Sequence, residues 1–382
     1  MKIRTITTGI NIAFPVKNAE IRKAAEFNRQ AREFFIDNGY EVQTLRITSQ
    51  PWPSYLGHLG LKKFVTTTRD IEMLCDDQDV DFFSIGTTFE PRHTRMIPWV
   101  IEATSRISAS ATITDNRRAV APATIKAASK AIVTIAKGTE RGYGNFRFAA
   151  IANCPPDIPF FPAAYHQGSR CFSIGLEAGD LVFKAFRSSS GLADARRRLA
   201  RLLQAEYGRV EALALRIEKR ERIHYAGLDA SPAPALKKNA SIAFAFEELG
   251  MGRFGGRDSL IIARMVTDVL KSLRICHCGY SGLMLPVLED RGLVQAVARG
   301  ALKIDDLLSL SAVCGTGLDC IPLPGSTPPD TIAAILGDVA TLAIGLNKPL
   351  SARLLLAPGK NAGQKTAFRS PFLIDCPVMK AE

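Results

Sequence analysis

Residues 279–326 read GYSGLMLPVLEDRGLVQAVARGALKIDDLLSLSAVCGTGLDCIPLPGS. The run gathers glycines, acids and cysteines around two short helical patterns and ends in an apolar stretch, Leu318 to Leu323, with the spacing of a strand. A helical pattern, Ile304 to Val313, gives way to Cys314-Gly315-Thr316-Gly317 just before that strand. Glycines where an element ends let backbone amides approach a ligand closely, so the run reads as a site built where strands end and loops begin.

The same alternation continues outward through the chain. Strand patterns occupy 2–14, 41–48, 80–85, 107–114, 145–153, 170–176, 222–228, 318–323 and 351–357. Between them lie helical patterns: Lys17 to Asn38 ends at Gly39, the Ala-rich Arg118 to Lys137 ends at Gly138, and Ala193 to Glu221 is the longest. Such alternation predicts an α/β fold, with a mainly parallel sheet or barrel and helices outside it. Segments 49–59 and 152–168 are rich in proline and aromatics and read as irregular loops beside a pocket. No repeat, low-complexity tract or hinge interrupts the pattern, so residues 1–382 are expected to form a single large α/β domain.

With 47% hydrophobic residues and a mean hydropathy of +0.05, the chain has enough apolar surface for a sizeable core. Met1 to Ile6 lacks the unbroken apolar run of a secretory signal, and Thr331 to Leu346 is too short and interrupted to cross a bilayer. A cytoplasmic protein with no membrane partner is the expectation. The eight cysteines are scattered through a long chain and read as free thiols. A net charge of +12 suggests an anionic ligand. However, the densest basic stretch, Arg196 to Arg198 with Arg201, lies on a helical pattern whose other side carries Leu199, Leu203, Val210 and Ile217. That is a solvated helix face, so the expected partner is a small molecule rather than nucleic acid. The apolar helix faces also permit a homodimer.

Ile3 to Gly9, Asn145 to Ala149 through Phe160 to His166, Gly227 to Pro234, Gly279 to Asp290, Cys314 to Asp319 and Pro358-Gly359-Lys360 together resemble domain-of-unknown-function family 711, also called uncharacterised protein family 0210. The resemblance covers nearly the whole chain. It implies a β/α-barrel-like architecture similar to pyruvate formate-lyase and other glycyl radical enzymes, with strands around a central active-site loop and helices outside. Radical chemistry is not implied. The C-terminal stretch Phe368-Arg369-Ser370-Pro371-Phe372-Leu373 lacks the glycine such a mechanism needs.

Residue chemistry nominates the catalytic candidates. Cys314 is either a nucleophile beside amides of Gly315 and Gly317 or a small buried hydrophobe at a helix end. Asp319 follows it as a proton-transfer or metal carboxylate, or as a loop cap. His166, after a Pro- and Phe-rich loop, has Glu177 as the expected carboxylate to orient it, one strand away; the plainer alternative is a loop-bonded imidazole and a solvated acid. Asp229 ends a strand, where α/β barrels place their sites, with Ser231 as support or cap. Ser281 is a hydrogen-bond donor rather than the nucleophile of an elbow, since no histidine follows His277. Arg257 in a glycine-containing turn and Lys360 between Gly359 and Gly363 suit an anionic group. Cys276-His277-Cys278 lacks a second ligand pair for structural zinc, whereas Glu289 and Asp290 suit a divalent cation shared with Asp229 or Asp319. The expected function is non-radical acid–base or nucleophilic chemistry on a small polar or anionic metabolite, as a hydrolase, lyase or isomerase. The alternative is a non-catalytic binding or regulatory protein on the same fold.

Overall fold

Period-2 patterning gives nine strands in the computed structural model, which describes residues 1–115 and 119–381. They are β1 (Lys2–Ile10), β2 (Leu45–Ser49), β3 (Phe82–Thr88), β4 (Ile107–Thr112), β5 (Phe148–Ala152), β6 (Cys171–Glu177), β7 (His224–Ala233), β8 (Gly317–Pro324) and β9 (Leu350–Ala357). All pair in one sheet of order β7-β6-β1-β2-β3-β4-β5-β9-β8. Strands β1 to β5 are mutually parallel. Strands β6 and β9 join them antiparallel, and each carries a parallel outer neighbour, β7 or β8. Parallel neighbours need long crossovers, and helices Asn18–Asp37, Leu61–Asp77, Ile97–Ala103 and Pro122–Gly138 provide them. Single bridges, Leu228 to His277 and Pro286 to Asp319, attach the segment between His277 and Pro286 to both edge strands.

Each expected strand exists, with shifted ends. β7 runs past Leu228 to Ala233 and includes Pro232, which an edge strand accommodates because one side of it makes no ladder. β5 starts only at Phe148, because Glu140–Arg147 coil into a 3-10 segment with Arg141 and Gly142 in the left-handed region. The helix start expected at Arg118 lies outside the described residues. The described helix begins at Pro122, where a missing N–H costs nothing.

The two faces of the central strands differ in chemistry, and that positions the site. One face carries Leu45 and Ile47, Phe83 and Ile85, and Ile107, Ala109 and Ala111, all buried, the composition that packs against helices. The other carries Thr5, Thr7, Arg46, Thr48, Ser84, Ser108 and Ser110, equally buried but polar. Loop 153–169 lies along this second face. Thr7 Oγ1 donates to the Pro159 carbonyl at 2.8 Å, Ser84 Oγ to that of Ala164 at 2.7 Å, and the His166 amide to that of Ser49 at 2.9 Å. Buried hydroxyls need partners, and an irregular loop with free carbonyls provides them. Among the described residues no helix is long and apolar enough to cross a membrane.

Candidate functional site

Three arginines project from strands into this polar interior. Arg4 on β1 donates to Glu177 Oε2 at 3.2 Å and to Glu289 Oε2 at 2.7 Å. Arg353 on β9 donates from Nε to Asp319 Oδ1 at 2.7 Å and from a terminal nitrogen to Glu289 Oε1 at 2.8 Å. Glu289 thus bridges two guanidinium groups, and the Cys320 thiol donates to it as well at 3.2 Å. Arg46 on β2 is different. Its Nε donates to Thr44 Oγ1 at 3.0 Å, and its guanidinium lies 4.5 Å from the Phe161 ring centre, yet among the described residues no carboxylate comes within ion-pair distance of it.

These groups surround a cavity of about 50 Å³ that Arg46, Phe161, Thr316, Asp319, Glu289 and Arg353 help to line. That is room for a few atoms. Thr316 Oγ1 is buried there with no hydrogen-bond partner among the described residues. Arg4 and Glu289 also line a larger adjoining cavity of about 320 Å³ that reaches Lys2 and Lys237. Electrostatics separate the two acids. Burial alone would raise the Glu289 carboxyl, but Arg353 and Arg4 outweigh it and hold it below the ordinary range. Burial pushes Asp319 up, against the pull of Arg353 and with the help of the Glu289 charge. Burial brings the Arg46 guanidinium down to about 9. Two neighbouring carboxyls driven in opposite directions are the usual basis for dividing acid and base roles.

Of the residues singled out by sequence, Asp319 and Glu289 are the two whose side chains join this cavity. Glu177 faces the adjoining cavity through Arg4 and does not orient His166, since the two flank opposite ends of β6. His166 pairs instead with Asp157, Nδ1 to Oδ1 at 2.8 Å, while its Nε2 faces the Gly168 carbonyl at 3.1 Å. Cys171 Sγ lies 3.7 Å from the same Nδ1. Burial, with Asp157 adding to it, pushes that thiol up. Gly9 ends beneath the ring, where a Cβ would overlap the imidazole.

Asp229 is fully buried and accepts from the amides of Tyr280 at 2.8 Å, Ser281 at 2.9 Å and Ser231 at 3.0 Å. Burial raises its carboxyl against those bonds, and its work is to pin the turn at 279–281 onto β7. Ser231 Oγ accepts from the Gly282 amide and Ser281 Oγ from the Ala230 amide, both at 3.1 Å, so they stitch the same junction. Cys314 is buried at the end of helix Ile304–Val313, and its carbonyl accepts from Lys348 Nζ. The Gly315 amide donates to Leu283 at 3.1 Å, and a Cβ on Gly315 would overlap Gly282 Cα. Gly317 has φ +91° and packs on the Ser351 backbone. These glycines allow close strand packing, and the Gly315 amide is taken by the Leu283 carbonyl. Arg257 lies in a separate turn and lines, with Phe246 and Phe254, a small cavity of its own, and Lys360 lies in the turn after β9.

Of the carboxylates expected to share a divalent cation, Glu289 and Asp319 meet at Arg353, whereas Asp290 and Asp229 do not join them. Asp290 accepts from the amides of Ile242, Gly292 and Leu293 and caps helix Arg291–Ala298, Asp229 is filled by amides, and the Arg353 guanidinium stands between Glu289 and Asp319. Among the described residues one trio of ligand-type atoms lies within 4.8 Å of one another: Asp157, His166 and Cys171. Arg4, Arg46 and Arg353 are not among the candidates that residue chemistry nominated from the sequence. Their signal is an arginine inside an apolar strand, as in Leu45-Arg46-Ile47 and Ala352-Arg353-Leu354, where burial demands a partner.

Comparison with known proteins follows the same span. The family model described as "Uncharacterised ACR (DUF711)" matches residues 1–369. A UPF0210 protein of Halothermothrix orenii is 26% identical over 415 residues, covering 99% of this chain and 90% of the relative. One of Methanopyrus kandleri is 26% identical over 398 residues, covering 96% and 88%. A third, of Pyrobaculum arsenaticum, is 35% identical over 227 residues, covering 57% of this chain and 50% of its own length.

Proposed function

The chain belongs to the DUF711 family, and from its buried arginine cavity we propose that it is an enzyme acting on a small anionic metabolite by non-radical acid–base chemistry. One observation carries the reading: Arg46 is a buried cation that borders a cavity and whose terminal nitrogens, among the described residues, have no carboxylate within ion-pair distance. A buried charge without a partner is costly, and a ligand carboxylate or phosphate would relieve it by bidentate bonding. Thr316 Oγ1 supplies a further bond to the same ligand. Asp319, raised by burial, serves as proton donor, and Glu289, held ionised by two arginines, as the base or electrostatic partner. The small inner cavity takes the charged end, and the rest of the substrate extends past Arg4 into the larger one.

In this reading the sheet closes around the site. The segment between His277 and Pro286 serves as the missing strand between β7 and β8, giving a β/α barrel of the pyruvate formate-lyase type with loop 153–169 inside. The test is to incubate the purified chain with pools of small carboxylates and phosphate esters and follow them by NMR. At least one should be consumed by wild type, and Asp319→Asn should still bind it without consuming it. Equal consumption by Asp319→Asn would refute the assignment. Binding without turnover by wild type would favour a non-catalytic binding protein.

A further inference from the structure

At the other end of β1 and β6 from Arg4 and Glu177 lies a second constellation that the proposed reaction does not use. Asp157 Oδ1, His166 Nδ1 and Cys171 Sγ converge within 4.8 Å of one another. The imidazole is the informative member. The Gly168 carbonyl 3.1 Å from Nε2 can only accept, so Nε2 carries a hydrogen. Nδ1 then presents a lone pair to the Asp157 carboxylate at 2.8 Å unless a second proton or a cation lies between them.

We infer that Asp157, His166 and Cys171 bind a divalent transition metal of the zinc class. Carboxylate, imidazole and thiolate together suit zinc or cobalt rather than magnesium or calcium. The spacing fits. Tetrahedral zinc with ordinary bond lengths places nitrogen and sulfur roughly 3.5 Å apart and nitrogen and oxygen roughly 3.4 Å apart. The observed 3.7 Å from Cys171 Sγ to Nδ1 already matches, and the 2.8 Å from Asp157 to Nδ1 must open slightly. Binding releases the thiol proton to solvent and leaves the metal between the carboxylate and the ring.

The surroundings are those of a prepared ligand set. His166 is fully buried and Cys171 is 3% exposed, so neither is a surface group that happens to lie near an acid. The Nε2 bond to a carbonyl is the outer contact that fixes a metal-binding histidine in its tautomer. Asp157 is held at φ +61°, uncommon for a residue other than glycine, while its amide donates to the Tyr165 carbonyl at 2.7 Å. Gly9 leaves the space that the ring fills. Asp157 and Cys171 also border a cleft of about 590 Å³ shared with His224, His277 and Cys278. Three protein ligands, two of them bordering a cleft, match the ligand count of a catalytic rather than a structural zinc.

The experiment adds cobalt(II) chloride to the intact chain and records its visible d–d bands and near-ultraviolet thiolate-to-cobalt absorption. Wild type should take up about one equivalent with both signatures. Cys171→Ser should lose the charge-transfer band, and Asp157→Asn and His166→Gln should weaken uptake roughly tenfold or more, with circular dichroism showing all variants folded. Uptake by wild type no greater than by Cys171→Ser would overturn the inference. So would a thiolate band that survives in Cys171→Ser, because the ligand would then be Cys276 or Cys278. Arg46 is untouched in these variants, so the outcome is independent of the anion-binding reading.

Discussion

Replacing Arg46 by methionine should stabilise the ligand-free protein while weakening its affinity for anions. The guanidinium is buried on a sheet, with one hydrogen bond to Thr44 and an aromatic ring as its close neighbours. Burial brings it down to about 9, from an ordinary value above 12. At about 1.4 kcal/mol per decade this is a cost of roughly 4–5 kcal/mol for keeping the charge in the fold. Methionine fills similar space and gives back part of that, less the Thr44 bond and the ring contact, for a net gain of about 1–3 kcal/mol. The sign with pH follows from a cation whose folded value is lowered. Below about 9 both folded and unfolded chains carry the charge and the full cost applies; above it the fold sheds the proton first, and wild type regains stability. Thermal and urea unfolding of both proteins at neutral and alkaline pH reads this directly. The variant should be the more stable near neutrality, with the gap shrinking as pH rises through about 9. A variant several kcal/mol less stable than wild type at neutral pH would mean instead that Arg46 already has an anionic partner within the fold.

Other perturbations separate scaffold from site. Arg353→Met leaves Glu289 and Asp319 facing each other with Arg4 alone, and it should cost about 3–5 kcal/mol at neutral pH. In urea titrations the loss should be smaller at acid pH, where one of the two carboxyls takes up a proton. Asp229→Asn offers one acceptor oxygen to three amides and should cost about 1–3 kcal/mol. Because burial raises the Asp229 carboxyl in the fold, wild type loses its contribution as pH rises, and the measured gap to the variant should narrow in that direction. Gly315→Ala drives a Cβ into Gly282 Cα; a loss of about 3 kcal/mol or failure to fold is expected, against almost no effect if the segment were a mobile anion loop.

The strands were legible because their pattern is local. Leu45-Arg46-Ile47 and Ile107 to Thr112 alternate whatever their partners are. What a local pattern lacks is the partner's identity: nothing in the sequence places β9 beside β5 or β6 beside β1. The same limit explains the site. His166 and Glu177 are near in sequence, but an extended strand between them carries the acid to the far end, and the carboxylate that meets the imidazole is Asp157, within the loop itself. Cys314 was attractive because glycines follow it, and the structure uses those glycines to bring two backbones together. Asp319 was recognised by its place at the start of a strand, whereas the arginines around it act only as a group assembled from β1, β2 and β9.

Anion binding at Arg46 is read most directly by calorimetric titration of wild type and Arg46→Met with small mono- and dicarboxylates, inorganic phosphate and phosphate esters. Wild type should bind at least one of these anions, and Arg46→Met should bind it roughly tenfold or more weakly. Equal affinity in the two proteins, or no binding of any such anion by wild type, would contradict anion binding at Arg46.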